Sequence, residues 1–371
     1  MRLQVSDNRY PVNSINNSLA ISNFAEYQFY KQFFSKLNVI SGTSYYFSNI
    51  TSELYGNHKG NNVAAYTQLE YKLFMKLRLS AGIRLEYNVL DDIADKIVPV
   101  FRSGINYQLK HGTFLRASFG QGYRYPSIAE KYAYTTLGTV KIFPNHEVKP
   151  EFGWSSEIGL KQGIKSGKLL GHFDISFFWS ENTDMIEYVF GLYPDPYSQD
   201  FGFGFRSSNI ENSRVYGTET EFLLNRNIGN LNVHIGGGYT YIHPVEFDKY
   251  HNVNTKTWLK YRKKHTAKFI VGAKLKKFEF GVNAFYKSKV LNIDNVFLNP
   301  LTREALLPGF YDYWSNNNKE TVVVNIFLSY RFKKNIKLSF GVKNIGNTEY
   351  MDRPGNIMPQ RFFSFQLSRY F

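Results

Sequence analysis

The chain has 371 residues, a formal charge of +15, no cysteine, a mean hydropathy of −0.36 and an aromatic content of 18%. The lack of cysteine excludes a disulfide framework and any thiolate metal site. No window approaches the ~20 uninterrupted apolar residues of a transmembrane helix, but barrel strands alternate apolar and polar residues and average to a mildly polar value, so membrane residence stays open.

The excess of 45 Lys+Arg over 30 Asp+Glu points to nucleic acid or to an anionic membrane surface. Nucleic-acid binding needs a compact basic face on a recognisable module, and none is present, so no nucleic-acid partner is expected. Met1 is followed by Arg-Leu-Gln-Val-Ser-Asp-Asn and not by a basic-then-apolar leader. For an exported protein the expectation is a mature form, a fragment or a gene that has lost its front.

Residues 1–18, with Asn8, Pro11, Asn13, Asn16 and Asn17, read as an extracellular loop or the stub of a preceding strand. From there to the end helical periodicity is almost absent and period-two runs recur. Leu77, Leu79, Ala81, Ile83, Leu85 and Tyr87 alternate with Lys76, Arg78, Ser80, Gly82, Arg84 and Glu86. Phe173, Ile175, Phe177 and Trp179 alternate with Asp174, Ser176, Phe178 and Ser180. The spacing predicts fifteen strands, at about residues 19–31, 36–49, 62–75, 76–89, 97–109, 112–121, 152–163, 168–189, 203–225, 230–242, 262–276, 277–289, 320–332, 336–345 and 361–371.

The links between these strands alternate short and long without a break. A sandwich has no reason to gather all its long loops at one end, whereas an outer-membrane barrel has short periplasmic turns and long extracellular loops. The predicted fold is therefore all-β, a transmembrane antiparallel barrel wall in up-and-down meander over residues 19–371, placed in the outer membrane of a Gram-negative cell. Its lipid and lipopolysaccharide are expected partners. Lys110, Lys165, Lys168, Arg226, Lys274, Lys276, Lys277, Lys333, Lys334 and Lys337 fall at or beside the short turns. They face anionic headgroups or simply keep the turns solvated.

Gln360 to Phe371 (QRFFSFQLSRYF) is an amphipathic strand on which the chain stops. Following a long loop, it runs downward, and counting back fifteen strands makes the first run downward as well. A complete single-chain bacterial barrel starts upward and has an even strand number, so the front strands are expected to be missing.

Four ordered motifs then carry a resemblance. Gly122-Tyr123-Arg124-Tyr125-Pro126-Ser127-Ile128-Ala129-Glu130 follows the sixth strand, and Asn145-His146-Glu147-Val148-Lys149-Pro150-Glu151 opens the seventh. Asn209 to Glu221 carries Gly217, Glu219 and Glu221 on one parity, and Val342-Lys343-Asn344-Ile345-Gly346-Asn347-Thr348-Glu349-Tyr350 precedes the closing strand. In this order, and from roughly residue 60 onward, the chain resembles the TonB-dependent outer-membrane receptors. His146, Val148 and Ile345-Gly346 depart from that family's usual residues at these places.

The resemblance implies a 22-stranded barrel of which this chain holds about fifteen strands. It implies a plug and a TonB-engaging box that are not found here, so the TonB complex is a partner only through a plug domain. It also implies energised uptake of a scarce bulky ligand, a ferric siderophore before cobalamin or haem. Terminal Phe371 resembles the signal read by the barrel assembly machinery. A passive porin-like channel, an adhesive wall protein or a truncated, non-transporting receptor remnant are the alternatives.

Arg84, Glu86, Arg102, Arg116, Glu157, Glu219 and Glu221 are expected to face the lumen, where charges can pair with each other or with a plug. Ligand contacts are expected from Tyr123, Arg124, Tyr125, Tyr132, Tyr134, Tyr188, Phe190, Tyr193, Arg206, Trp258, Arg303, Tyr311, Tyr313 and Trp314 in the long loops. The competing reading for those beside a strand is an aromatic girdle. The eight histidines show no metal-binding spacing, and His243 and His251 are the pair a haem could meet. Gly236-Gly237-Gly238 lies inside a strand and is no phosphate loop. No metal, cofactor or enzymatic activity is expected.

Overall fold

The computed structural model describes residues 2–5, 17–137, 140–198, 200–248, 250–333 and 335–369. Phe371, the expected assembly signal, and Lys334 lie outside them.

Arg2–Val5 (β1) runs antiparallel to Ser18–Phe33 (β2), and Leu37–Ser52 (β3), Gly56–Phe74 (β4) and Leu77–Leu90 (β5) follow, each antiparallel to the last. Ile93–Ala94 (β6) folds onto the end of β5, and Val98–Lys110 (β7) and Thr113–Arg124 (β8) continue the wall. The next connection carries Ile128–Tyr132 (α1), Thr135–Leu137 (β9) and Val140–Phe143 (β10) before Glu151–Ser166 (β11) returns beside β8. Leu169–Pro194 (β12) and Phe201–Ile228 (β13) are the tallest strands, Leu231–Asp248 (β14) follows them, and Val253–Trp258 (β15) folds back on β14.

His265–Leu275 (β16) and Phe278–Lys287 (β17) lead into a connection with a 3-10 turn at Asn295–Phe297 and the helices Arg303–Leu306 (α2) and Phe310–Asn317 (α3). Thr321–Lys333 (β18), Ile336–Lys343 (β19), the small hairpin Met351–Arg353 (β20) and Asn356–Ile357 (β21), and Phe362–Arg369 (β22) finish the chain, with β22 paired to β19. All fifteen predicted strands are present, as β2–β5, β7, β8, β11–β14, β16–β19 and β22.

The short turns are one cause of this regularity. Gly167 and Gly229 sit at φ 58° and 57°, the left-handed backbone that two-residue hairpins demand. The long connections differ from the prediction. Only residues 53–55 separate β3 from β4, and 195–200 separate β12 from β13, because the strands run on past the expected loop boundaries. Their 26 and 28 residues in β12 and β13 far exceed the ~9–11 needed to cross a bilayer. Above the lipid neither face must be apolar, so the alternating signal fades while the ladder continues.

Directly opposed residues share a face, so the register sorts the wall into two sides. Tyr66 opposes Arg84, Gly82 opposes Arg102, Arg116 opposes Gly159, Asp174 opposes Glu221, and Gly238 opposes Lys268. The other side carries Ile105, Ile158, Phe177, Phe365 and Leu367, all exposed. Exposed apolar surface on this scale fits lipid, not water. Among the described residues no helix is long and apolar enough to cross a membrane, which leaves the crossing to strands.

Candidate functional site

The site is built where the β8–β11 connection meets the tall hairpin β12–β13. Pro126 cannot donate to a ladder and ends β8. Ser127 then caps α1: its hydroxyl accepts from the Glu130 amide at 3.2 Å, while Glu130 accepts from the Ser127 amide at 2.8 Å. Arg124 closes the arrangement, donating to Glu130 at 2.8 Å and to Glu151 at 2.7 Å. Burial works against ionisation of Glu130, but Arg124 and Ser127 outweigh it and leave the carboxyl below its ordinary value.

Residues 125–150 form a strap that reaches three neighbouring connections. Tyr134 donates its amide to Leu54 beside the β3–β4 turn, and its hydroxyl to Asp195 at the β12–β13 turn. Lys141 reaches the same Asp195 at 2.6 Å, and β10 adds in parallel to Gly204–Arg206 of β13. Asn145 donates to the Ser207 carbonyl, and the Ser207 hydroxyl donates to the Glu130 carbonyl. Asn209 accepts from the Lys149 amide at 2.8 Å and donates to the Lys149 carbonyl at 2.9 Å. The first three sequence motifs, far apart along the chain, thus meet in one hydrogen-bonded network.

At the outer end of this network lie aromatic rings. Phe143 is 2% exposed and packs against Tyr134 and Tyr193, and Tyr134 meets Tyr197 edge-on at 4.7 Å. Gly202 and Gly204 leave room for Phe143, since a Cβ on either would meet its ring within 2.9 Å. Arg206 lies over Tyr193 at 4.4 Å, with its Nε unpartnered among the described residues.

On the polar face of the wall the charges pair sideways. Arg116 bridges Glu157 at 2.8 Å and Asp174 at 2.7 Å. Arg84 pairs with Glu86, Arg102 with Gln68, and Glu221 with Lys268 at 3.5 Å. Glu219 lines the same groove as Arg116, His172, Asp174 and Glu221.

A family model for the TonB-dependent receptor-like β-barrel matches residues 4–345. The chain belongs to that family. The match begins well before the first motif, at strands whose likeness lies in pattern alone. No relative among the curated proteins matches in sequence. Among solved structures, the copper transporter OprC is 14% identical at a TM-score of 0.70, covering 96% of this chain and 57% of its own. The siderophore receptor PirA from Pseudomonas aeruginosa is 11% identical at a TM-score of 0.67, with 96% and 58% covered. The ferric-catecholate import receptor Fiu from E. coli K12 is 14% identical at a TM-score of 0.66, with 96% and 55% covered. The chain thus spans a little over half the length of these structures. The family is one of outer-membrane transporters, not enzymes.

Within this TonB-dependent barrel the remaining expected ligand residues fall in different settings. Tyr123, Arg124, Tyr188, Phe190, Tyr193 and Arg206 lie on strands, and Trp258 ends β15, so half of the expected loop residues belong to extended hairpins. Tyr123 donates to Asp95 at 3.4 Å, and Tyr188 to the Ala129 carbonyl at 3.3 Å. Burial, then Asp95, pushes the Tyr125 phenol up. Trp179, Tyr216 and His243 stack in a row that Trp258 closes edge-on against His243, the girdle arrangement. His243 is therefore on a strand, while His251 is bound to Asp248 at 2.5 Å. Tyr311 lies under Arg303 at 4.0 Å, Trp314 packs into the core of its own connection, and the Tyr313 phenol is pushed up by burial and by Glu349.

Motif reading missed Asp195, Lys141, His58 and Asp91, which have no periodic signal. It also missed the cap at Ser127 and Glu130, whose Ser-x-x-Glu spacing was available to find it. Among the described residues no cluster of three or more His, Asp or Glu is arranged to hold a metal.

Proposed function

We propose that the chain forms the C-terminal barrel portion of a TonB-dependent receptor that captures a bulky, aromatic, anionic ligand, with a ferric siderophore fitting best. The observation that carries this reading is the aromatic cluster Tyr134, Phe143, Tyr193 and Tyr197 with the cation Arg206, raised on the strap and the tall hairpin. Aromatic rings take planar chelating groups by stacking, and Arg206 offers charge to an anionic complex. Beneath it, Arg116, Glu157 and Asp174 pair sideways along the polar face of the wall. Energised transport belongs to the whole receptor, acting with a plug domain and the TonB complex.

The test is a tryptophan-fluorescence titration of the chain in detergent micelles with a ferric catecholate siderophore, haem and cobalamin. Saturable quenching by the siderophore, weakened at least about tenfold by Arg206→Ala or Tyr193→Ala, is the expected result. Tight binding of haem or cobalamin instead, or a siderophore affinity indifferent to both substitutions, removes the reading.

A further inference from the structure

Like charges placed directly opposite each other destabilise a pair of strands. The wall holds basic pairs of this kind at two places, both beside short turns. Lys72 of β4 opposes Arg78 of β5, and Arg331 of β18 opposes Lys337 of β19. Lys72 and Arg78 stand an even number of residues along the ladder from Tyr66 and Arg84, which keeps them on the polar face. Lys274 follows Lys268 in the same way and opposes Glu279, which opposes Ser329, the neighbour of Arg331 on that face. All of these charges therefore point away from the lipid side.

Higher on the same face an acidic pair shows what compensation looks like. Asp174 opposes Glu221, but Arg116 binds the first at 2.7 Å and Lys268 the second at 3.5 Å. The basic pairs lack such an answer. Glu279 binds Lys337 and also has Lys274 at 3.5 Å and Arg331 at 3.6 Å, so one carboxylate is shared among three cations. The Nε of Arg331 is buried with no partner among the described residues. The groove along Lys72 and Arg78 also takes in Lys76, and the acid that lines it, Glu70, accepts from Gln68. Among the described residues no ion pair reaches Lys72 or Arg78.

We propose that the short-turn end of the polar face is a docking surface for an acidic polypeptide, whose carboxylates compensate both basic pairs. The face excludes lipid as the source of the negative charge. One small anion cannot answer both clusters, because β7, β8, β11, β12, β13 and β14 stand between β5 and β16. At about 4.8 Å per strand this puts the clusters ~30 Å apart along the wall, a span that a folded or extended polypeptide covers. The surface is distinct from the aromatic cluster at the opposite end and does not depend on which ligand that cluster takes.

Fluorescence anisotropy on the full chain in non-ionic detergent micelles tests this, with a labelled peptide of alternating Glu and Ser and its Gln-for-Glu control as the probes. The Glu peptide should bind saturably and the control should not. Binding should vanish near 1 M salt, where the screening length falls to about 3 Å. Lys72→Gln and Arg331→Gln should each weaken it about tenfold, the scale of one charge-assisted hydrogen bond, whereas Lys268→Gln on the compensated stretch should leave it unchanged. Without peptide, Lys72→Gln should unfold at no lower temperature than the unaltered chain, because it removes a repulsion and no ion pair. Equal binding of the two peptides, an affinity indifferent to both substitutions, or displacement of the Glu peptide by equimolar inorganic phosphate overturns the docking surface. Should a variant fail to fold, the two peptides and the salt dependence on the unaltered protein decide alone.

Discussion

Two extracellular connections of this barrel are held in opposite ways. The strap at residues 125–150 is fixed by Arg124, Glu130, Asp195, Asn145 and Asn209 through charged and amide hydrogen bonds. The β17–β18 connection instead carries a small apolar core, in which Val290, Ile293 and Phe310 are 3%, 2% and 5% exposed. Tyr261, Phe297, Leu307, Trp314 and Met351 pack around it. Apolar burial is non-directional and indifferent to pH, whereas the strap's bonds are directional and depend on charge state. The first connection can thus be loosened by a proton or a competing ion, and the second only by removing its atoms.

The largest effect is expected from Phe310→Ala. Truncating a buried phenylalanine costs about 3–5 kcal/mol through lost transfer energy and the cavity left behind. Hydrogen exchange should quicken strongly over Arg303–Leu306 and Phe310–Asn317, with residues 127–134 unchanged. Spread of the effect into the strap would show that the two connections are one unit.

Next comes Arg124→Ala, which strands Glu130 and Glu151 without their shared donor. Charged hydrogen bonds contribute ~1.5–3 kcal/mol each, and the 44% exposure of Arg124 brings the pair to about 1–3 kcal/mol in total. Arg124→Lys should recover only part of this, because an ammonium cannot present the guanidinium fork to two carboxylates at once. Protease nicking within residues 125–150 is the readout, and full rescue by lysine would mean that charge alone holds the strap.

How much of this was legible beforehand follows from what each region must satisfy. Lipid on one side and polar groups on the other force period-two alternation, so runs such as Phe173 to Trp179 announced their strands directly. The outer end Gly56–Asn61 lies beyond the alternating run that marked its strand, although its ladder to β3 continues. The first three motifs were visible as strings, but their purpose was not. Nothing in Asn145, Lys149 or Asn209 alone says that Asn145 bonds to Ser207 and Lys149 to Asn209. Asp195 acquires Tyr134 and Lys141 as partners only once the strap has crossed the hairpin, a contact that no spacing encodes.

A shift to acid should separate the two connections more gently. Glu130 is depressed below its ordinary value, so its contribution is complete above the unfolded carboxyl range and disappears as pH falls through its folded value. Asp195 is likewise depressed, first by its bond from Lys141. Between pH 7 and pH 3, exchange across residues 127–134 should rise, while the amides around Phe310 stay protected to the same degree. Equal loss in both would mean that the apolar core depends on a titrating group.

The smallest effect is expected from Lys268→Ala, which removes a wall ion pair without touching either connection. Lys268 and Glu221 are 53% and 54% exposed and 3.5 Å apart, the geometry of a water-screened pair. Such pairs are worth about 0–1 kcal/mol, and Glu221 keeps His172 at 3.8 Å as a second neighbour. The denaturation midpoint should move by less than the scatter between preparations, with both connections as protected as before. The tighter Arg116, which joins Glu157 and Asp174 across neighbouring strands, should cost clearly more when replaced by alanine. If Lys268→Ala proves as costly as Arg116→Ala, the wall acts as one coupled charge network and not as separate local pairs, and the distinction between polar and apolar fastening then applies to the whole barrel and not only to its outer connections.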